Sequence, residues 1–202
     1  MTSSHLPRQL LGRSSRILLL VSLLCGTHAA GAAGQTGGAD LDSALTASSD
    51  AAPVTMAPVR HVRPVGRNAA TLLDRAMRLS PTVAALVEAI DDSDLFVYVQ
   101  TGPLKVKALL RFAAATPHAR FIRISINTPE LECRMIGELA HELQHALEIA
   151  GASEVRDEAT LRQFYEIEGL RTPEGGYCTL EARRIGALAI YEVTSGAGLR
   201  AR

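Results

Sequence analysis

The sequence is poor in aromatic side chains, in cysteine and in net charge. It has 202 residues with no Trp, 4% aromatic residues and three Cys. A buried core must therefore be built mainly from Leu, Ile, Val and Ala. The 21 basic residues balance the 21 acidic ones, so charge gives no argument for nucleic acid or an anionic membrane as a partner. Apolar residues still make up 47% of the chain, which is typical of a globular domain.

The first 34 residues have the pattern of an export signal. Arg8, Arg13 and Arg16 precede an apolar run over 17–25, and small Ala and Gly residues follow at 29–34. The apolar run is too short to span a bilayer. We therefore expect residues 1–34 to be a signal peptide, the protein to be exported (periplasmic or secreted), and no stable membrane span to remain after signal removal. An uncleaved anchor is the alternative.

The composition changes twice along the rest of the chain. Residues 35–66 are rich in Ala, Ser, Gly and Pro and lack sustained apolar periodicity, which predicts a disordered tether. Regular apolar spacing begins near Asn68, a candidate N-cap, and Ser80-Pro81 opens a second helix. Ser153 and Thr179 are candidate N-caps of the last two helices, which end near residues 168 and 193. We expect the folded domain to cover residues 67–195.

The elements of this domain predict an α+β fold. Short turns at 101–103 and 116–118 separate three β-rich segments, and strands joined by short turns favour antiparallel pairing. Helical spacing precedes and follows them. The expected architecture is a small antiparallel β-meander packed with about five helices. The predicted strands cover residues 95–100, 104–112 and 121–126; for the second of them, a helical turn over 108–115 is the alternative.

The helix predicted over 136–150 carries the pattern His-Glu-x-x-His. Residues four apart on a helix lie on one stripe and one turn apart, so His141 and His145 can bind one metal ion. Glu142 flanks that stripe, where a carboxylate can take a proton from a water that the metal activates. This spacing is the signature of zinc hydrolases. The alternative is the solvated face of an ordinary amphipathic helix.

A catalytic zinc ion usually has three protein ligands, so a third must come from elsewhere. The extended motif, with His six residues after the second His, is excluded because that position is Gly151. We favour Glu181, in the first turn of the last helix, because a carboxylate beside Ile185 and Leu188 is costly unless it is paired or bound to metal. The helix dipole is the alternative reason for an acid there. Other candidates are Glu154, Glu158 and Glu168, whereas Glu148, on the His stripe, is expected to partner an imidazole N–H.

A β-meander whose last strand, an edge strand, leads into a His-Glu-x-x-His helix, followed by a ligand-bearing helix, resembles the zincin metallopeptidases and, with Glu as third ligand, their gluzincin branch. The motif itself lies in the segment Glu-Leu-Ala-His-Glu-Leu-Gln-His-Ala-Leu-Glu, over 138–148. It is also similar to short exported bacterial proteins with a lone His-Glu-x-x-His. The resemblance covers about residues 121–193 and is specific at 141–145. It implies His141 and His145 as zinc ligands and Glu142 as the base. The Asn-Glu motif that gluzincins carry on the following helix is absent here.

Two cysteines, Cys133 and Cys178, remain after signal removal. Each lies at the start of a predicted helix, and an exported protein can oxidise them. The sequence leaves two alternatives open. The two cysteines form a disulfide that links the two helix starts, or both are buried free thiols.

Together these patterns predict an exported zinc-dependent hydrolase, and a peptidase in particular. A peptide or protein substrate is expected because the strand ending at Ile126, predicted to be an edge strand, can pair with an extended chain. Tyr177 and Tyr191 are candidates to stabilise an oxyanion. The alternative is a non-catalytic zincin-like binding domain in which the metal is structural or absent. The sequence does not indicate an oligomeric state.

Overall fold

A computed structural model describes residues 59–173 and 175–196. The predicted signal peptide and most of the predicted tether lie outside the described residues. Within the described ranges, no helix is long and apolar enough to cross a membrane.

The described residues form a mixed α/β domain with five helices. The strands are β1 (Val62–Pro64), β2 (Leu95–Gly102), β3 (Ala108–Ala115), β4 (Arg120–Asn127), β5 (Leu170–Arg171) and β6 (Tyr177–Cys178). The helices are α1 (Arg67–Leu79), α2 (Pro81–Asp91), α3 (Glu132–Gly151), α4 (Glu158–Glu168) and α5 (Leu180–Ser195).

The main sheet is mixed, so the predicted antiparallel meander is wrong. Its strand order is β1-β2-β4-β3, with β1–β2 and β2–β4 parallel and only β3–β4 antiparallel. β3 follows β2 in sequence but is not its neighbour in the sheet. The next strand, β4, lies between them. Burial explains the order. The apolar residues of β4 suit a central strand, whereas most of β3 is at least partly exposed and suits an edge.

One face of the sheet forms the core. Leu95, Val97 and Val99 of β2 are fully buried, whereas the residues between them are only partly buried. Alternate residues of a strand point to opposite faces, so the helices cover one face. The same face of β4 contributes Ile122, Ile124 and Ile126, all fully buried.

The sheet begins inside the stretch that the sequence assigned to the tether. β1 pairs in parallel with β2, and the backbone N–H of His61 donates to Asp91 Oδ1 at 2.6 Å. The folded domain therefore starts before Arg67, the predicted boundary. A three-residue strand is too short to stand out from a Pro-containing background in the sequence.

The predicted N-caps of α2 and α5 are present in the structure. Ser80 Oγ accepts from Val83 N at 3.1 Å, and Thr179 Oγ1 accepts from Ala182 N at 3.0 Å, as the sequence predicted. Two predicted caps are wrong. The helix α1 follows Gly66 and contains Asn68, with no side-chain cap. The helix α4 begins after Asp157, whose side chain forms a capping box with Thr160, rather than after Ser153.

Buried Arg120 attaches the end of α3 to the sheet. This side chain is 1% exposed, and it forms a two-point ion pair with Asp94 at 2.6 and 2.9 Å. Its remaining N–H groups donate to backbone carbonyls at and beyond the α3 C-terminus. The last turn of α3 carries no basic residue, so Arg120 supplies the positive charge that a helix C-terminus favours. The accepting carbonyls are those of Ile149, Ala150, Ala152 and Val155.

Candidate metal centre

The helix α3 presents the His-Glu-x-x-His residues to a cleft of about 1240 Å³. His141 is partly buried, whereas Glu142 and His145 are 8% and 5% exposed. The two imidazole rings lie 4.8 Å apart, centre to centre. The predicted helix therefore places both rings and the intervening acid at one point of the cleft wall.

The third side chain at this point is Cys178. Donor atoms of His141, His145 and Cys178 all lie within 4.8 Å of one another. The distance from Cys178 Sγ to His141 Nε2 is 3.6 Å, close to the separation of about 3.5 Å between two ligands of a tetrahedral zinc ion. Imidazole nitrogen and cysteine sulfur are both common ligands of zinc. We call His141, His145 and Cys178 the donor cluster.

The ring of His145 is held from outside the donor cluster. Glu148 Oε2 lies 2.9 Å from His145 Nδ1, as the sequence predicted for Glu148. Thr179 donates to the other carboxylate oxygen at 2.7 Å, and the hydroxyl of Tyr165 donates to the backbone carbonyl of His145 at 3.2 Å. A proton on Nδ1 facing the carboxylate leaves Nε2 with its lone pair. That Nε2 is buried and has no hydrogen-bond partner among the described residues.

The electrostatics favour a neutral His141 imidazole beside a carboxyl group, that of Glu142, whose pKa lies near neutrality. Burial, with His145 close by, lowers the pKa of His141 to about 4. Burial raises the pKa of Glu142 to about 7, against the opposing effect of His145. Burial also acts to raise the pKa of Glu148, but hydrogen bonds from His145 and Thr179 outweigh it, and the net change is downward. A neutral imidazole is the form that binds a metal ion.

The structure does not bring Glu181 to the donor cluster. Its carboxylate pairs with Arg184 at 2.5 and 2.9 Å, and its side chain is 48% exposed. The buried residues of α5 are Ala182, Ile185, Gly186 and Ala189, and Glu181 lies off that stripe. The sequence analysis expected the carboxylate of Glu181 to be either paired or bound to metal. In the structure it is paired, with Arg184.

The other acidic candidates also lie apart from the donor cluster. Glu154, Glu158 and Glu168 are exposed. Glu158 faces the cleft from α4 and accepts from the backbone N–H of Phe112 at 3.3 Å.

Cys178 is the residue that sequence reasoning missed as a ligand. It immediately precedes Thr179, the N-cap of α5, so it belongs to the connection that leads into the predicted ligand helix. Both described cysteines are free thiols. Cys133 is the second residue of α3 and lies eight residues before His141, which is about 12 Å along the helix. This distance separates Cys133 from the position that Cys178 occupies beside His141.

Two glycines let α5 approach α3 closely enough for this arrangement. A Cβ on Gly186 would lie 3.0 Å from the carbonyl oxygen of Gly137 and 3.2 Å from His141 Cβ. The neighbours on the α3 side are the helix backbone and the first carbon of a donor residue, which have little freedom to move. The close contact of the two helices sets the distance between His141 and the start of α5.

Replacing Gly186 with Val should therefore force the two helices apart. We expect a loss of about 1–3 kcal/mol of unfolding free energy from overpacking, measured by urea denaturation. Ala187→Val is the matched control, because Ala187 is the next residue of the same helix and is exposed. We expect the control to change stability by less than about 0.5 kcal/mol. Equal effects of the two substitutions would contradict the close-packing argument.

The cleft has a strand on one side and a hairpin on the other. Residues 105–110, at the start of β3, line one side, and Tyr177 with residues 172, 173, 175 and 176 lines the other. β3 is one of the two outer strands of the main sheet. The prediction that the strand ending at Ile126 is an edge strand is wrong, because β4 lies between β2 and β3. The edge strand beside the cleft is β3. Of the two tyrosines considered for an oxyanion, Tyr177 lines the cleft, whereas Tyr191 is 64% exposed.

Comparison with models of protein families, with curated proteins and with solved structures finds no match to this chain.

Proposed function

We propose that this protein is a zinc-dependent hydrolase that cleaves peptide bonds. The observation that carries the proposal is the convergence of His141, His145 and Cys178 next to the buried carboxyl of Glu142. In this proposal His141, His145 and Cys178 hold the ion. Glu181 has no role as a ligand because Arg184 already binds its carboxylate.

The donor set suits zinc. The buried Nε2 of His145 has no partner among the described residues, and an orphaned buried acceptor costs free energy unless something binds it. A thiolate with two imidazoles selects a borderline-soft ion such as zinc over magnesium or calcium, which prefer oxygen ligands. When bound, the ion supplies a Lewis acid and a water of lowered pKa.

The protein side chains around the ion have distinct tasks. Glu142 takes a proton from water and returns it to the leaving amine, for which a pKa of about 7 is well placed. Glu148 fixes the ring of His145 by its bond to Nδ1. Tyr165 and Thr179 hold Glu148 and the backbone behind it. These contacts hold the imidazole ring of His145 in one orientation, as a metal ligand requires.

The shape of the cleft supports a peptide substrate. The outer edge of β3 borders the cleft, and an unpaired strand edge can bind an extended peptide by main-chain hydrogen bonds. A peptide aligned with β3 would lie in the cleft that the donor cluster also lines. Membership in the zincin group and export through residues 1–34 belong to the same proposal, because the motif and the N-terminal pattern support them.

The zinc content of two cysteine variants tests this proposal. The full chain should retain about one zinc ion after dialysis, and Cys178→Ala should bind zinc at least tenfold more weakly, since even an outer partner of a ligand contributes 10–100-fold. Cys133→Ala is the matched control and should bind zinc like the parent protein. The measurement is competitive titration with a chromophoric chelator, followed by cleavage of a mixed peptide library.

Three results would count against the proposal. Unchanged zinc affinity in Cys178→Ala would remove Cys178 from the ligand set. A parent protein that folds stably without binding zinc would support the alternative, a non-catalytic binding domain. Stoichiometric zinc without cleavage of any peptide in the library would support a structural metal.

A further inference from the structure

Arg183 occupies a distinctive position in the cleft. It lies in the first turns of α5, lines the same cleft as Glu142, and its Nε donates to Cys178 Sγ at 3.3 Å. Its guanidinium group is therefore adjacent to the donor cluster while the residue itself is exposed.

The charge of Arg183 is not matched by an acid among the described residues. Arg184, the next residue, pairs with Glu181. One turn before and one turn after Arg183 on α5 lie Thr179 and Ala187, neither of which is charged. The other arginine of the cleft, Arg162, differs, because α4 places an acid four residues to either side of it. Arg183 is thus a cleft cation with its two terminal nitrogens available to a ligand.

We infer that Arg183 binds a carboxylate of the substrate, next to the bond that is cleaved. A guanidinium group binds a carboxylate through two parallel N–H bonds, and its Nε contact with Cys178 keeps the group beside the donor cluster. Consecutive Cα atoms of a peptide are about 3.8 Å apart, so the carboxylate belongs to the residue that follows the scissile bond or to the next one. The inference rests on the proposed function and narrows it to short peptides that end near the site, or to bonds followed by an acidic residue.

The test is a binding measurement with a protein that does not turn over. Glu142→Gln protein with one equivalent of zinc is titrated with N-acetyl-Ala-Ala and with N-acetyl-Ala-Ala amide. We expect the free acid to bind at least tenfold more tightly than the amide. A second pair, the amides of N-acetyl-Ala-Glu and N-acetyl-Ala-Gln, asks whether a side-chain carboxylate is preferred as well. Preference in the first pair assigns the terminal carboxylate, and preference in the second assigns an acidic side chain.

Substitutions of Arg183 and its neighbour assign the effect to one residue. Adding Arg183→Gln should abolish the preference for the acid, and Arg183→Lys should keep part of it because the charge remains. Arg184→Gln is the matched control and should keep the full preference. Equal binding of acid and amide to the parent, or a preference that survives Arg183→Gln, would overturn the inference.

Repeating the titrations with chelator present separates this inference from the proposed function. Arg183 is part of the chain with or without zinc, so the preference for the acid should persist, at weaker overall affinity. Persistence without zinc binding or cleavage would support the carboxylate site and reject the hydrolase. Cleavage with no carboxylate preference in any arm would do the reverse.

Discussion

Glu142→Gln is expected to lower the turnover of a cleaved peptide by about 10²–10⁴-fold, the contribution of a positioned general acid–base group. Gln keeps the shape of the side chain, but it cannot exchange a proton. Glu142 is buried, next to both ring-bearing residues, and is not one of the three donors. The zinc content should therefore remain that of the parent. The measurements are kcat on the best peptide of the library and zinc per chain.

Glu138→Gln is the matched control for this loss. Glu138 lies one turn earlier on α3 and lines the same cleft, and burial raises the pKa of its carboxyl as well. Because Glu138 lies outside the His-Glu-x-x-His motif, we expect its substitution to change kcat by less than about tenfold. Full activity of the Glu142→Gln protein would show that the base lies elsewhere.

Arg120→Met is expected to lower the free energy of unfolding by at least about 1–3 kcal/mol, the cost of leaving a buried acceptor without its hydrogen-bond donor. The substitution leaves the Asp94 carboxylate and the carbonyls at the end of α3 without their donor. Guanidinium denaturation measures the loss. The control is Arg123→Met, three residues along the same strand, where Arg123 is exposed.

The control should change stability by less than about 0.5 kcal/mol, and a similar result for Arg120→Met would contradict the anchoring role. Acid titration gives a second check. Hydrogen bonds from Arg120 hold the pKa of Asp94 below its ordinary value, so this stabilisation is present above the ordinary pKa. It is lost as pH falls through the lowered value. Arg120→Met should therefore flatten the acid limb of the stability curve.

The sequence predicted the helical part of the domain well because helices are governed by local interactions. Apolar spacing, Ser80 with Pro81, and Thr179 located the starts of α2 and α5. Four-residue spacing on a single helix was enough to bring His141 and His145 onto one stripe and Glu142 beside them. These relations depend on residues within a few positions of one another.

The strand order could not be read in the same way. Short turns favour neighbouring strands, and that argument predicted a meander from 95–100 to 121–126. In the structure β4 lies between β2 and β3, since its apolar residues require the central position and β3 tolerates the edge. Burial on both sides of a strand depends on the whole sheet. For this reason the strand edge that can bind a peptide belongs to β3, whereas the sequence had predicted it for β4.

The donor cluster itself combines both kinds of information. The sequence of one helix, α3, determines the relative positions of the two imidazoles and of the Glu142 carboxyl group. The third donor depends on how closely α5 packs on α3 through Gly137 and Gly186, which brings Cys178 to His141 and leaves Glu181 on the outside with Arg184. Local spacing determines which side chains share a helix face. Only packing between helices distant in sequence decides which residue completes the site.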